Sequence, residues 1–341
     1  MPSIYDSVPL LQNDSLQAIV DKSMPMKDLI GLTILPAVSS PTPLVKWEEI
    51  TATYGMAPIV ASDAVSPLIE GGAVAQKQAM VCYIRQKYLL DLLDLTGLRT
   101  PGTREEKANV EELVKQLVNL QDRVERRRES LIFDALLDGT ISYSLNNVIF
   151  TVDFGFNAAH IVQLTGTPRW TQLTTANPEK DFQDAIEVLE ADGFEPTYAL
   201  MNGLTRGLLD KNSTIRSLYQ YNQAGAQVPG QYHWLPVLKG VELRTYNGRY
   251  QADTTGTSTK FIPDYYIIFV SQGSGARRIG STYHGPLMLQ DGSIVDSVNV
   301  VADRFTSPDP SQEFLRVQLS CLPVIHQPDS FYVCDVGTSG S

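Results

Sequence analysis

The sequence predicts an α+β chain: one rod-like helix, two shorter helices and many strands in noncontiguous groups. Three observations predict it. Across residues 103–138, apolar side chains recur at Val110, Leu113, Leu117, Leu120, Val124, Leu131 and Ala135, a spacing of threes and fours broken at Arg127 and Arg128. Several short β-branched and aromatic runs, among them "FIPDYYIIFVSQG" and "FLRVQLSCLPVI", alternate as strands. No fixed-period repeat links them, which excludes a solenoid.

Taken in order, residues 1–45 form a mixed arm. It offers helical pieces at 15–22 and 26–32, broken by Pro25 and ended by Pro36, and "SSPTP" at 39–43 reads as a linker. Residues 46–95 read as two extended strands around a polar, glycine-containing tip, "ASDAVSPLIEGGAVAQKQ". A hairpin with so little apolar alternation near its tip buries only part of itself within its own chain. The rod follows. Thr103 and Glu106 have the spacing of a capping box, and Gly139 is a suitable stop. About 35 residues at 1.5 Å each give a rod on the order of 50 Å. Strands are expected in "TISYSLNNVIFTVDFG" and "AAHIVQLT", a helix at 178–192, a strand in "PTYALMN" and one further helix in "GLTRGLLDKNSTIRSLY". Strands alternate from there to the end.

Composition narrows the function. With 43% hydrophobic and 19% charged residues the chain is ordinarily globular, and its net charge of −11 argues against a protein that grips nucleic acid through phosphate neutralisation. Cys82, Cys321 and Cys334 are far apart, with no spacing for zinc or a disulfide framework. "MPSIYDSVPLLQNDS" lacks a basic segment followed by an apolar run, and no apolar stretch is long enough to span a bilayer, so a soluble protein of a reducing cytoplasm is expected. "QGSGARRIG" is neither a nucleophile elbow nor a dinucleotide loop, since Gln272 stands where the elbow needs glycine and strand-like sequence follows. His160, His233, His284 and His326 are isolated, and no metal, cofactor or catalytic residue is expected. The run "RVERRRES" reads as a charge-laced helix face, with Asp122–Arg126 and Glu125–Arg128 at ion-pair spacing. An intersubunit salt-bridge site and a DNA-binding patch stand as its alternatives.

Together the parts resemble the major capsid protein of tailed bacteriophages, the Hong Kong 97 capsid fold, and within it the phage lambda major head protein family. The hairpin with Met56-Ala57-Pro58-Ile59-Val60 and Gly71-Gly72 is similar to the family's E-loop. The helix ending in Ala135-Leu136-Leu137-Asp138-Gly139 is similar to its spine helix. "VDFG", "TPRWTQLTTANPEKDFQDAIE", "FIPD", Gly275-Ala276-Arg277-Arg278, "DPSQEF" and "LPVIHQPDSFYV" follow in the family's order. The likeness covers roughly residues 45–335.

This resemblance implies an N-terminal arm (1–45), an E-loop (46–95), a peripheral domain with the spine helix (96–175), an axial domain (176–300), and strands returning to the peripheral domain with a tail (301–341). It implies a structural protein of the virion, assembled in the bacterial cytoplasm as hexamers and pentamers into an icosahedral head around double-stranded DNA. It further implies a scaffolding protein, a decoration protein and a portal at one vertex, with no membrane and no enzyme activity. Arg126, Arg127, Arg128 and Glu129 on the helix, and Asp63, Glu70 and Lys77 on the hairpin, are the candidate intersubunit contacts. Some members crosslink through a Lys–Asn isopeptide bond; Lys77 lies near the tip, but the lambda-like group as a rule does not crosslink. The alternatives are an encapsulin-like nanocompartment shell and an α+β enzyme or binding module.

Overall fold

The computed structural model describes residues 12–22, 29–49, 59, 75–90, 104–145, 148–222, 236–251, 256–271, 278–308 and 311–337. In chain order the arm gives helix α1 (Asn13–Lys22), the single turn α2 (Gly31–Ile34) and strand β1 (Ala37–Ser39). Next come β2 (Leu44–Glu49), β3 (Ala75–Met80), β4 (Cys82–Leu90) and the long helix α3 (Arg104–Asp138). The hairpin β5 (Thr140–Leu145) and β6 (Val148–Asp153) precedes β7 (Ile161–Gln163), α4 (Pro178–Ala191) and β8 (Pro196–Met201). Helices α5 (Gly203–Lys211) and α6 (Ser213–Asn222) lead into the short strands β9 (Val237–Leu238), β10 (Val241–Thr245), β11 (Arg249–Gln251) and β12 (Ser258–Lys260). The remainder is β13 (Tyr266–Ser271), β14 (Gly280–His284), β15 (Leu287–Met288), β16 (Ile294–Val295), β17 (Val301–Pro308), β18 (Ser311–Ile325) and β19 (Phe331–Asp335).

The chain divides into two units, one of residues 1–45, 79–133 and 281–324, the other of 46–78, 134–280 and 325–341. The first is built on the sheet β1-β14-β18-β17, with β4 also paired to β18. Leu113, Leu117, Leu120 and Val124, one stripe of α3, pack with Leu16 and Val20 of α1 and with Ala302, Leu315, Val317 and Leu319 of the sheet. The periodicity that predicts the helix therefore also identifies its buried face. The arm is part of this core, and its polar residues close the open edge of β17. Gln17 Nε2 donates to Val300 O (3.2 Å), its Oε1 accepts from Ala302 N (3.0 Å), and Asn13 Oδ1 accepts from Arg304 N (3.2 Å). Four residues of helix rise about 6 Å and two of strand about 6.6 Å, so side chains at 13 and 17 meet alternate amides. An unpaired strand edge is thereby blocked.

The second unit holds the six-stranded sheet β7-β19-β13-β8-β10-β9. Trp170, Phe182, Leu189, Met201, Leu209, Ile215, Phe269 and Tyr332 form its core. The closing strand β19 pairs between β13 and β7, and all five of its side chains are buried there. The "FIPD" segment is held by Asn202, whose Nδ2 donates to Ile262 O, Pro263 O and Asp264 Oδ1.

Other details correct the sequence reading. The single helix expected after β8 is two. Asn212 leaves helical geometry, accepts from Thr214 N (2.9 Å) and starts a new helix as its N-cap. Of the arm's second helical piece, expected at 26–32, residues 26–28 lie outside the described residues, and the described part is one turn at Gly31–Ile34. Gly139 ends α3 as expected, at φ +64°, where only glycine is unstrained. The capping box at Thr103 and the hairpin tip, Ile59 apart, lie outside the described residues.

Candidate assembly surface and its supports

The middle of α3 is where sequence reasoning expects a solvated charged face. The structure corrects this: Gln121, Glu125, Arg128, Glu129 and Ser130 are all buried. The break in the apolar stripe is a polar seam inside the first unit. Glu129, 2% exposed, receives the start of α2: Oε1 accepts from Ile30 N and Gly31 N (both 2.9 Å) and Oε2 from Gly31 N (3.0 Å). A carboxylate at a helix N-terminus meets free amides and the positive end of the peptide dipoles. Gly31 permits the approach, since a Cβ there would lie 2.4 Å from Glu129 Oε2. Gln121 Nε2 donates to Glu125 Oε1 (3.2 Å). His284 is buried opposite the seam, with Nδ1 donating to Ser320 O (2.8 Å). Burial, with the Arg128 charge nearby, lowers its pKa to about 4, so the ring is neutral.

The paired strands β4, β18 and β17 present a surface whose side chains form rows across the sheet. Leu89, Phe314 and Phe305 share one register row, and Lys87, Arg316 and Asp303 the next. In β4 burial alternates strictly: Ile84, Tyr88 and Leu90 face the core, and Tyr83, Arg85, Lys87 and Leu89 face away. Lys87 and Arg316 are like charges directly opposed, a destabilising pair if left alone. Two features relieve it. Asp303 accepts from Arg316 Nε (2.8 Å) and again from its Nη2. Lys87 Nζ sits 4.3 Å from the Phe314 ring centroid and 5.8 Å from that of Phe305. This face is pre-ordered, charged and aromatic together.

Several large apolar side chains on strands are uncovered: Met80 (55% exposed), Leu89 (44%), Ile149 (84%), Met288 (60%) and Ile294 (69%). Ile59, in the segment similar to the E-loop, is fully exposed. Among the predicted contact residues, Arg128 and Glu129 are buried and Arg126 and Arg127 half-buried, with Arg126, Arg127 and Glu129 all engaged by partners. Lys77 Nζ donates to Asp153 O (3.4 Å), and Asp63 and Glu70 lie outside the described residues. Sequence reasoning missed Asn13, Gln17, Lys87, Asp303 and Arg316. The i,i+4 pair on α1 and the alternation of β4 are the only local signals for them.

All three cysteines are free thiols. Burial pushes Cys82 and Cys321 up to about 12 and raises Cys334 as well, which leaves no thiolate for nucleophilic chemistry. No described helix is long and apolar enough to cross a membrane.

The fold is shared with solved phage proteins. A phage-related protein from Bordetella bronchiseptica RB50 superposes with a TM-score of 0.60 at 13% identity, over 97% of this chain and 99% of that one. The putative capsid protein of a prophage from E. coli CFT073 gives 0.63 at 14%, over 95% and 99%. No curated protein matches in sequence. The architecture is that of a phage capsid subunit, as the Hong Kong 97 resemblance implies. Residues 13–336 match the family model of phage major capsid protein E, and the chain belongs to that family. It is a family of structural virion proteins and not of enzymes.

Proposed function

We propose that the protein assembles, as hexamers and pentamers of itself, into the icosahedral head of a tailed bacteriophage and encloses double-stranded DNA. The unit carrying most of α3 with β17 and β18 serves as the peripheral domain, and the unit carrying the six-stranded sheet as the axial domain. The observation that carries this reading is the set Met80, Leu89, Met288 and Ile294, apolar strand residues that a single chain leaves in water. Covering each by a neighbouring copy contributes about 1–2 kcal/mol, multiplied over a closed array. The net charge of −11 supports a container that does not bind its cargo tightly. A scaffolding protein, a decoration protein, a portal and the lambda-like affiliation belong to the same proposal and rest on the sequence likeness.

Negative-stain microscopy and light scattering test it. Wild-type protein forms shells of many copies. The double variant Met288→Lys, Ile294→Lys keeps the wild-type circular dichroism spectrum and yields small oligomers only. Shells of unchanged heat resistance from that variant would remove β15 and β16 from the contact. A monodisperse small wild-type species, with scaffold supplied, would sink the capsid reading.

A further inference from the structure

Cys82 and Cys321 are 239 residues apart in sequence, yet strand register in the first unit sets them directly opposite each other across β4 and β18. Both lie on the core side of the sheet. Cys82 continues the inward series of Ile84, Tyr88 and Leu90, and Cys321 that of Leu315, Val317 and Leu319. Cys321 is fully buried, and Cys82, the first residue of β4, is half-buried. The Cys82 thiol is close enough to add to the burial that raises the pKa of Cys321. Cys334 opposes no cysteine, since its partners in the six-stranded sheet are Ile267 and Val162.

Antiparallel geometry places the first two within reach of a covalent bond. Directly opposed residues have Cα atoms about 4.5 or 5.5 Å apart, according to whether their amides bond each other. A disulfide accepts roughly 4.4–6.8 Å, so either case fits. The Cβ atoms of such a pair stand about 4.5–5.5 Å apart and close to about 3.8 Å in a disulfide, a shift on the order of 1 Å. That shift falls at the terminal rung of the described β4–β18 ladder, where one neighbour fewer resists it.

We infer that Cys82 and Cys321 form a disulfide, a staple that fixes the start of β4 to β18, with a low-molecular-weight disulfide such as glutathione disulfide as the oxidant. One protein thiolate attacks a sulfur of the oxidant and expels a glutathione thiolate. The second attacks the protein sulfur of that mixed disulfide and expels the other glutathione. Two S–H bonds are lost from the protein and one S–S bond forms; two protons and two electrons leave as two glutathione thiols. The reaction belongs to folding. In the finished subunit burial holds both thiols protonated, whereas in the unfolded chain they ionise at about 8.5. The bond forms as β4 docks on β18, and burial then preserves whichever redox state folding made. Both strands belong to one subunit, so the staple does not depend on assembly.

The test is refolding of the full chain from urea at pH 8 with and without glutathione disulfide, followed by thiol blocking and peptide mass mapping. With the oxidant, wild type gains one Cys82–Cys321 link and loses two hydrogens in mass. Its unfolding temperature rises by about 3–6 °C over the reduced form. Cys82→Ser and Cys321→Ser each abolish the link, and Cys334→Ser keeps it. Folded, reduced subunit given the same oxidant at pH 7 forms the link about tenfold or more slowly. Glutathione carried on separate cysteines, a link to Cys334, or equal rates before and after folding overturns the inference. If the chain does not refold, expression in bacteria with an oxidising cytoplasm decides by the same mapping. A linked Cys82–Cys321 peptide pair supports the staple, and three free thiols overturn it.

Discussion

Replacing Glu129 by alanine tests the polar seam of α3 most directly. The carboxylate accepts from two backbone amides, and the bond to Gly31 is fully buried. A hydrogen bond to a charged group contributes about 1.5–3 kcal/mol, and a buried amide left unpaired costs about 1–3 kcal/mol. The half-buried Ile30 amide recovers part of its share from water, which places the whole loss at about 2–5 kcal/mol. For a protein of this size each kcal/mol moves the unfolding temperature by roughly 1.5 °C, so calorimetry of the unassembled subunit should show a drop of about 3–7 °C. Glu129→Gln retains one oxygen, able to serve both amides, and costs about 1 kcal/mol. Gly31→Ala alone is destabilising, since its Cβ meets Oε2 at 2.4 Å and Ile132 Cδ1 at 2.9 Å. In the Glu129→Ala background the first clash disappears, so the two changes are non-additive by about 1–3 kcal/mol. A change under about 0.5 kcal/mol for Glu129→Ala, or strict additivity, would refute the anchoring role.

Three further outcomes follow from the same geometry. Asp303→Asn removes the charge on which Arg316 closes and leaves a nearly buried guanidinium opposite Lys87; the subunit loses about 3 kcal/mol in urea unfolding. Gly139→Ala forces a side chain to φ +64° and against the Phe156 ring at 2.6 Å, lowering stability by about 1–3 kcal/mol in thermal unfolding. His284 has a folded pKa of about 4, below the ordinary 6.5, so the unfolded chain binds the proton more readily. Its stabilisation is complete above about pH 6.5 and is lost as pH falls toward 4, by up to roughly 3 kcal/mol. His284→Gln should therefore flatten the stability profile in that window, and an unchanged slope would reassign the acid sensitivity to other groups.

Local pattern made α3 legible. Seven apolar residues at helical spacing and a glycine stop need nothing beyond the helix itself, so its extent agrees with expectation to within a residue. The same pattern misread the charged run, because i,i+4 pairing along one helix says nothing about what covers that face. The arm fills the place that solvent was expected to fill, with Ile30 and Gly31 on Glu129 and Gln17 on the edge of β17. The break at Asn212 escaped notice for a related reason. Its side chain caps a new helix while also donating to Ala176 O, a partner 36 residues earlier.

By itself the sequence determined the class of fold, the long helix, the family likeness and the absence of a local catalytic motif, all carried by order and spacing along one chain. Only the tertiary structure decided that Glu129 is an internal anchor, that Lys87, Arg316 and Asp303 share one row, that β19 joins the sheet of the second unit, and that His160 pairs with Asp192. The physical reason is common to all four. Burial and charge pairing depend on distance in space, and these partners are brought together by strand register and turn placement across many tens of residues.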